Sequence, residues 1–595
     1  MGKTGPVLHR LLTSALLASL AGLASFPTPA SATQKFGPFE LSGNLQSQQL
    51  VRHPDIDTYQ FIQQRNTMHL RVDWEWKRRN GKWLDRFDIP GIKTSKLFLL
   101  YRGVYDSVYD TLPDVHTSRE FTGERTDPRF DNLDDLDRTQ RDGAKFENVL
   151  REAYIDIDFF GPLSLRLGRQ QVIWGESDGF RILDRANSLD LTWHFQQELP
   201  PPAFGFDETR RPFWMAKALW EVGNLATFNN VFVEGYWNLG DWEPNKIRFL
   251  PHPWGVKLGH PLTNPRNGAF NFPERAERLM NGTSLFKQGD YDRNPIDNGQ
   301  WGIRFNFMTG PDTPVVPAGI AVQLAYLYQR FTATGGVSTS AAVARGLKPT
   351  LEGQVETARL RGLGTLPVEY YAPYIHTVGL AMNYFDEFTS TVYRLESAYD
   401  FGLPFYSCGS SPEAIAEQDR CVRETTFAPF LPGLRNHDVW SGLLAFDRPT
   451  WIRPLNKKTT FFITGQFFWN YMIQKADSVV GGLDLPTVSR PVNQDPAVAY
   501  RDDVRRWEAL ISVAILGFYR GGSVLPSMVY LLDPVNSYSQ EVVWGVDYFV
   551  TPNFAVNLSQ RYLINPKREV NFEPWGLGGL NSGRSETGLR LTYQF

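Results

Sequence analysis

The stretch TGLRLTYQF, residues 587–595, alternates without a break. Leu589, Leu591, Tyr593 and Phe595 fall on one side of an extended chain, and Gly588, Arg590, Thr592 and Gln594 on the other. Successive side chains of a strand point to opposite faces, so the segment reads as a two-faced strand. Two settings suit it. One is the sheet of a soluble protein; the other is a transmembrane barrel, apolar toward lipid and polar toward the lumen.

The same pattern recurs upstream. In RNTMHLRVDWEWKRR (65–79), Met68, Leu70, Val72, Trp74 and Trp76 share a face opposite His69, Arg71, Asp73 and Glu75. In LREAYIDIDFF (150–160), Ala153, Ile155, Ile157 and Phe159 oppose Glu152, Tyr154, Asp156 and Asp158. Trp301, Ile303, Phe305 and Phe307 oppose Arg304 and Asn306. One strand with full charges on its polar face suits a sheet edge; many in a row suggest a wet lumen.

About eighteen candidate strands follow one another, the first near residue 37 and the last near residue 583. Their connections alternate between short turns (FGPL at 160–163, TPN at 551–553) and long segments such as 107–149, 239–298 and 474–501. A soluble all-β array has no reason to sort its loops this way, whereas outer-membrane barrels have short periplasmic turns and long external loops. The expected fold is therefore all-β: a transmembrane, antiparallel, up-and-down β-barrel of about 16–18 strands.

The N-terminal residues agree. Lys3 and Arg10, an apolar run from Leu11 to Phe26, and Ala30-Ser31-Ala32 form a secretory signal peptide over 1–32, cleaved after Ala32, with the barrel over 33–595. Cleavage removes two basic residues and takes the formal net charge from −3 to −5, which argues against a nucleic-acid partner. No apolar run reaches the ~18 residues of a transmembrane helix, so a membrane location requires a closed barrel. Cys408 and Cys421 are the two cysteines, and in an exported chain they read as a disulfide closing a small loop; a metal pair lacks neighbouring ligands. No metal or cofactor is expected.

Between Leu150 and Phe195 the hairpin, its Gly-Pro turn, and GRQ followed by WG resemble segments of large proteobacterial outer-membrane proteins. The closest resemblance is to a poorly characterised domain-of-unknown-function family, and RRPFWMAKALWEVG (210–223) fits its pattern. More distantly, the hairpin is similar to phosphate-selective and alginate-export porins. The resemblance implies a porin-type barrel, with lipids or other apolar molecules among its candidate solutes. Leu589, Leu591, Tyr593 and Phe595 resemble the C-terminal signal that hands outer-membrane barrels to their insertion machinery. The expected location is the Gram-negative outer membrane, with its lipid, the insertion machinery and a periplasmic transport protein as partners.

The expected pore lining is His69, Arg71, Asp73, Glu75, Glu152, Asp156, Asp158, Arg166, Arg169, Arg304, Arg394, Glu396 and Arg590. Both signs are present, so neither cations nor anions are clearly preferred. Arg166 and Arg169 are expected to meet Glu152, Asp156 or Asp158. Strict alternation would point Arg169 to lipid at a cost of about 2–4 kcal/mol at mid-depth, so a bulge at Gly168 is expected to turn it inward. The alternative leaves Arg169 at the outer interface. The segment Glu176–Arg211, rich in Phe, Leu, Trp and Asp, is the candidate to fold into the lumen.

Signs of catalysis are weak. His194 and Glu198 could pair on one helical face, but no GxSxG or HExxH is present. The acidic run 130–138 lacks the ligand order of an EF-hand. The expected function is a non-enzymatic, porin-like channel that passes or captures a solute. The alternatives are an enzyme acting at the barrel rim and a surface scaffold.

Overall fold

A computed structural model describes residues 33–53, 59–77, 89–108, 145–178, 180–190, 208–242, 286–288, 299–313, 317–330, 342–343, 368–370, 374–406, 434–473, 506–535, 538, 540–564 and 585–595. The expected signal peptide over 1–32, Cys408, Cys421, His194, Glu198 and the acidic run 130–138 lie outside the described residues.

Eighteen strands form one antiparallel ring. They are β1 Phe39–Arg52, β2 Gln60–Lys77, β3 Ile92–Asp106, β4 Phe146–Phe159, β5 Leu163–Gln170 and β6 Phe213–Leu225. Next come β7 Phe228–Asn238, β8 Gln300–Thr309, β9 Ala321–Arg330, β10 Tyr374–Asp386, β11 Thr391–Tyr406 and β12 Leu434–Thr450. The ring is completed by β13 Phe461–Met472, β14 Trp507–Leu516, β15 Val524–Leu532, β16 Gln540–Thr551, β17 Phe554–Ile564 and β18 Glu586–Gln594. Each strand pairs with its sequence neighbours, and β1 also pairs with β18 from Asn44↔Gln594 to Arg52↔Glu586, which closes the sheet. A short strand, Gln34–Phe36, folds back on the start of β1.

Phe595 answers a packing need at this seam. Its backbone exchanges two hydrogen bonds with Gly43, at 2.8 and 3.0 Å. A Cβ on Gly43 would lie 2.7 Å from the Phe595 ring and 2.4 Å from the His69 carbonyl oxygen, so only glycine lets the ring seat there. On the polar face of the same seam, Arg52 and Glu586 pair at 3.0 Å with both side chains buried.

The outer surface is apolar, with aromatic residues near both ends of the strands. Trp214, Trp237, Trp301, Trp440 and Trp507 are exposed toward the long loops; Trp220, Tyr393, Phe446 and Tyr548 are exposed toward the short turns. An apolar band between aromatic girdles around a closed polar interior is the architecture of an outer-membrane barrel, and it places this chain in that membrane. The core in the usual sense sits inside the ring: Val172, Trp174, Phe213, Met215, Tyr236 and Leu327 form a buried cluster under a loop folded into the lumen.

Candidate functional site

Alternation turns the charged residues of β2–β8 inward, where they pair along and across strands. Arg71 and Asp73 meet at 2.6 Å, Lys96 and Asp73 at 2.5 Å, and Arg166 and Asp156 at 2.6 Å. Asp158 accepts hydrogen bonds from Thr94 (2.5 Å) and Ser164 (2.8 Å). Arg304 lies 3.2 Å from Glu234, which also accepts a hydrogen bond from the Trp174 indole at 2.8 Å. Glu152 accepts one from Gln171 at 3.0 Å. Arg590 is registered between Gln48 and Asn557, and Glu75 lies where the β2–β3 register slips between Trp74 and Lys77.

Arg169 corrects the expectation. The β5 register runs unbroken through Arg169, opposite Ala153 and Trp214, so the residue stays on the outer face. No bulge forms, because Gly168 adopts φ +136° and lets the β4 backbone approach so closely that a Cβ would lie 2.3 Å from the Ala153 carbonyl oxygen. Arg169 instead donates to the carbonyls of Pro212 (3.1 Å) and Leu150 (3.2 Å) near the loop end of the barrel. A bulge does occur on β4, between Leu150 and Glu152 opposite Tyr101 and Leu100. It turns Arg151 inward beside Glu152, and Arg151 donates to the carbonyls of Glu208 (2.6 Å) and Arg210 (3.0 Å).

From Gln170 the chain turns into the lumen and crosses it. Trp174 packs edge-on against Tyr236, with the Arg304 guanidinium 5.3 Å above its ring. Beyond it, the backbone N–H groups of Glu176 and Leu183 each donate at 2.6 Å to Glu396 of β11, whose side chain is fully buried. Gly175 is needed at this crossing, since a Cβ would come within 2.5 Å of the Glu396 carboxylate. Asp178 takes hydrogen bonds from Arg394 and Gln466, both at 2.6 Å, and Arg394 also meets Asp447 at 2.8 Å. Phe180 stands edge-on to Phe468, and Arg185 is paired at 2.6 Å with the buried Asp400. The return limb is fixed by Arg210–Asp184 at 2.5 Å. The described part of Glu176–Arg211 thus spans from the β5 wall to β11–β13.

Electrostatics within the loop follow from this enclosure. Burial pushes the Glu176 carboxyl above its ordinary value, against the hydrogen bond from Asn383. Burial lowers the Arg181 guanidinium to about 10; it donates to the carbonyls of Asp184 and Asn187. Glu208 is half exposed to the lumen but enclosed by the barrel wall, 3.2 Å from both His69 and Arg102. Burial raises its carboxyl, but the His69 hydrogen bond and the charges of Arg151, His69 and Arg102 together hold it well below the ordinary value.

Sequence reasoning missed Arg151, Arg185, Glu208, Glu234 and Asp400. The irregularity that turns Arg151 inward leaves no mark in the alternation, and the loop contacts join residues far apart in the chain. Among the described residues no group of His, Cys, Asp and Glu is arranged to hold a metal ion. The pair on which a rim enzyme would rest, His194 and Glu198, lies outside them.

Among solved structures, similarity extends to Acinetobacter baumannii OccAB4, at TM-score 0.41 and 9% identity over 95% of this chain and 100% of that one. Pseudomonas aeruginosa OccK2, solved with glucuronate, gives 0.39 and 8% over 94% and 98%. Pseudomonas putida OprB gives 0.36 and 10% over 94% of both. No curated protein matches the sequence. The pattern of a family described as "Protein of unknown function (DUF1302)" matches residues 71–558.

Proposed function

The chain belongs to the DUF1302 family of proteins of unknown function, and from that premise and the lumen geometry we propose that it is an outer-membrane channel of porin type, selective rather than general. One observation carries this reading: a loop built of Trp174, Phe180 and Leu183 is fastened across the lumen by buried acids of the opposite wall, Glu396 and Asp400. An eighteen-strand ring without such an insertion encloses a wide aqueous channel. With it, a solute must pass between the loop and the charged faces of β2–β8, where Arg71, Asp73, Asp156 and Arg166 stand. Charges of both signs across a constriction sort solutes by size and dipole more than by net charge. A periplasmic protein that takes up the solute is part of this proposal.

The test is single-channel recording of the purified, refolded protein in a planar bilayer. The expected result is small, steady openings whose ion selectivity changes on Arg166→Ala or Asp156→Ala. A stably inserted barrel with no openings in wild type, Glu396→Gln or Asp400→Ala would sink the channel reading and favour a surface scaffold.

A further inference from the structure

On the side of the lumen away from the charged wall, the inward face changes character. Leu510, Val529 and Leu531 lie on this face of β14 and β15 and are buried; Ala514 and Leu516 share it. The outward face of ALISVAIL is wholly apolar and the inward face carries one polar residue, Ser512, among Leu510, Ala514 and Leu516, fewer polar groups than a polar lumen calls for. Between this wall and the tip of the loop lies a cavity of about 340 Å³. Phe462, Ala514, Leu516 and Val529 line it on one side, interspersed with the hydroxyls of Thr464, Ser512 and Ser527, and Asp178, Arg394, Asp447 and Gln466 line the other. Its volume falls at the small end of the ~300–1,000 Å³ typical of small-molecule sites, which combine apolar walls with a few convergent polar groups.

The polar side has a definite sign. Arg394 is shared between two carboxylates, at 2.6 Å from Asp178 and 2.8 Å from Asp447, so the trio carries one net negative charge. Asp178 is nearly half exposed. A carboxylate whose neighbouring cation is already divided attracts a further donor and repels an anion.

We propose that this cavity binds the apolar body of an amphipathic solute, with a hydrogen-bond-donating head, ammonium or hydroxyl, against Asp178 and Asp447. The inference rests on the channel reading for its biological sense, but the site itself is a matter of binding. It sets a substrate class for this cavity: compact amphiphiles with a cationic or neutral donor head, in preference to carboxylates. The solute meets charged residues first and then trades water for Phe462, Leu516 and Val529 as it passes the loop tip.

The test uses the full-length protein in lipid nanodiscs and saturation-transfer NMR, with empty nanodiscs subtracting partition into lipid. The probes are propylammonium through octylammonium, 1-hexanol and hexanoate. Affinity for the alkylammonium series is expected to rise about three- to fourfold per added methylene until the cavity is full. Hexanoate is expected to bind more weakly than hexylammonium by about tenfold or more, with Asp178→Asn closing most of that gap. Leu516→Trp, which fills the cavity, is expected to lower hexylammonium affinity about tenfold. An affinity independent of chain length, or equal binding of hexanoate and hexylammonium, overturns the proposal in the wild type without recourse to a variant. Planar-bilayer conductance of the same preparation judges the channel reading separately: a closed barrel that binds the series keeps the site and loses the channel, and an open one without chain-length dependence does the reverse.

Discussion

Arg185 and Asp400 meet at 2.6 Å inside the barrel, with 1% and 0% of their side chains exposed. The Thr377 hydroxyl donates to the same carboxylate oxygen at 2.5 Å. Removing one member leaves a buried charge without its partner, which costs about 3–5 kcal/mol, whereas replacing both by apolar residues of similar size is often neutral. Asp400→Ala is therefore expected to lower unfolding stability by about that amount, and Arg185→Met with Asp400→Leu to recover most of it. Urea unfolding from lipid vesicles checks this; a double variant no better than the single one would refute it.

Glu396 holds the loop through two oxygens, each accepting one backbone N–H. Glu396→Gln keeps the volume but turns one acceptor into a donor facing a donor. The expected loss is about 1–3 kcal/mol of loop attachment, seen as hydrogen exchange at the Glu176 or Leu183 amide faster by about tenfold or more. Unchanged protection at both amides would show that the loop is held by other contacts.

Arg166 and Asp156 form a different kind of pair, with 29% and 31% of their side chains open to the lumen. Solvated pairs contribute about 0–1 kcal/mol, so either alanine variant should fold normally. Their effect is expected on permeation, with Arg166→Ala shifting selectivity toward cations and Asp156→Ala toward anions. Reversal potentials in a salt gradient measure this, and identical potentials for both variants would remove these residues from the ion path.

Glu208 gives the loop its acid sensitivity. Its carboxyl is held well below the ordinary 4.5. A depressed folded value contributes stability that is present above the unfolded value and lost as pH falls through the folded one. The melting-temperature gap between wild type and Glu208→Gln should be present at neutral pH and should narrow as pH drops below about 4.5. A gap that is constant or widens down to about pH 2 would contradict the assignment.

The barrel was legible because its signal is local. A period of two is written into each strand, and the sorting of short and long connections needs only the positions of the turns. His69, Arg71, Asp73, Asp156 and Arg166 fall inward for that reason. Arg169 is misplaced by the sequence because a glycine such as Gly168 can either start a bulge or simply permit a close approach, and Arg151 is overlooked because the bulge at Leu150–Glu152 has no glycine or other residue to mark it. The aromatic composition of the segment after GRQ pointed into the lumen, yet its fastenings, Glu396 and Asp400, lie more than two hundred residues downstream. The apolar wall of β14 was hidden for another reason: from Ala509 to Leu516 only Ser512 is polar, so alternation has little to contrast.

The seam between β1 and β18 has a kinetic consequence. Arg52 and Glu586 are 534 residues apart, and Gly43 waits for Phe595 over a still longer span. Closing so long a loop adds only modestly to the entropic cost, since that cost grows with the logarithm of length. It does delay closure until sixteen intervening strands have been laid down, and non-local pairing of this kind is slow. Throughout that interval the Asn44–Arg52 stretch of β1 presents an unpaired edge, the form of sheet most prone to join the wrong partner. Watertightness thus waits on the last strand: a chain arrested before its eighteenth strand keeps two open edges, a form suited to misjoining rather than to a smaller pore.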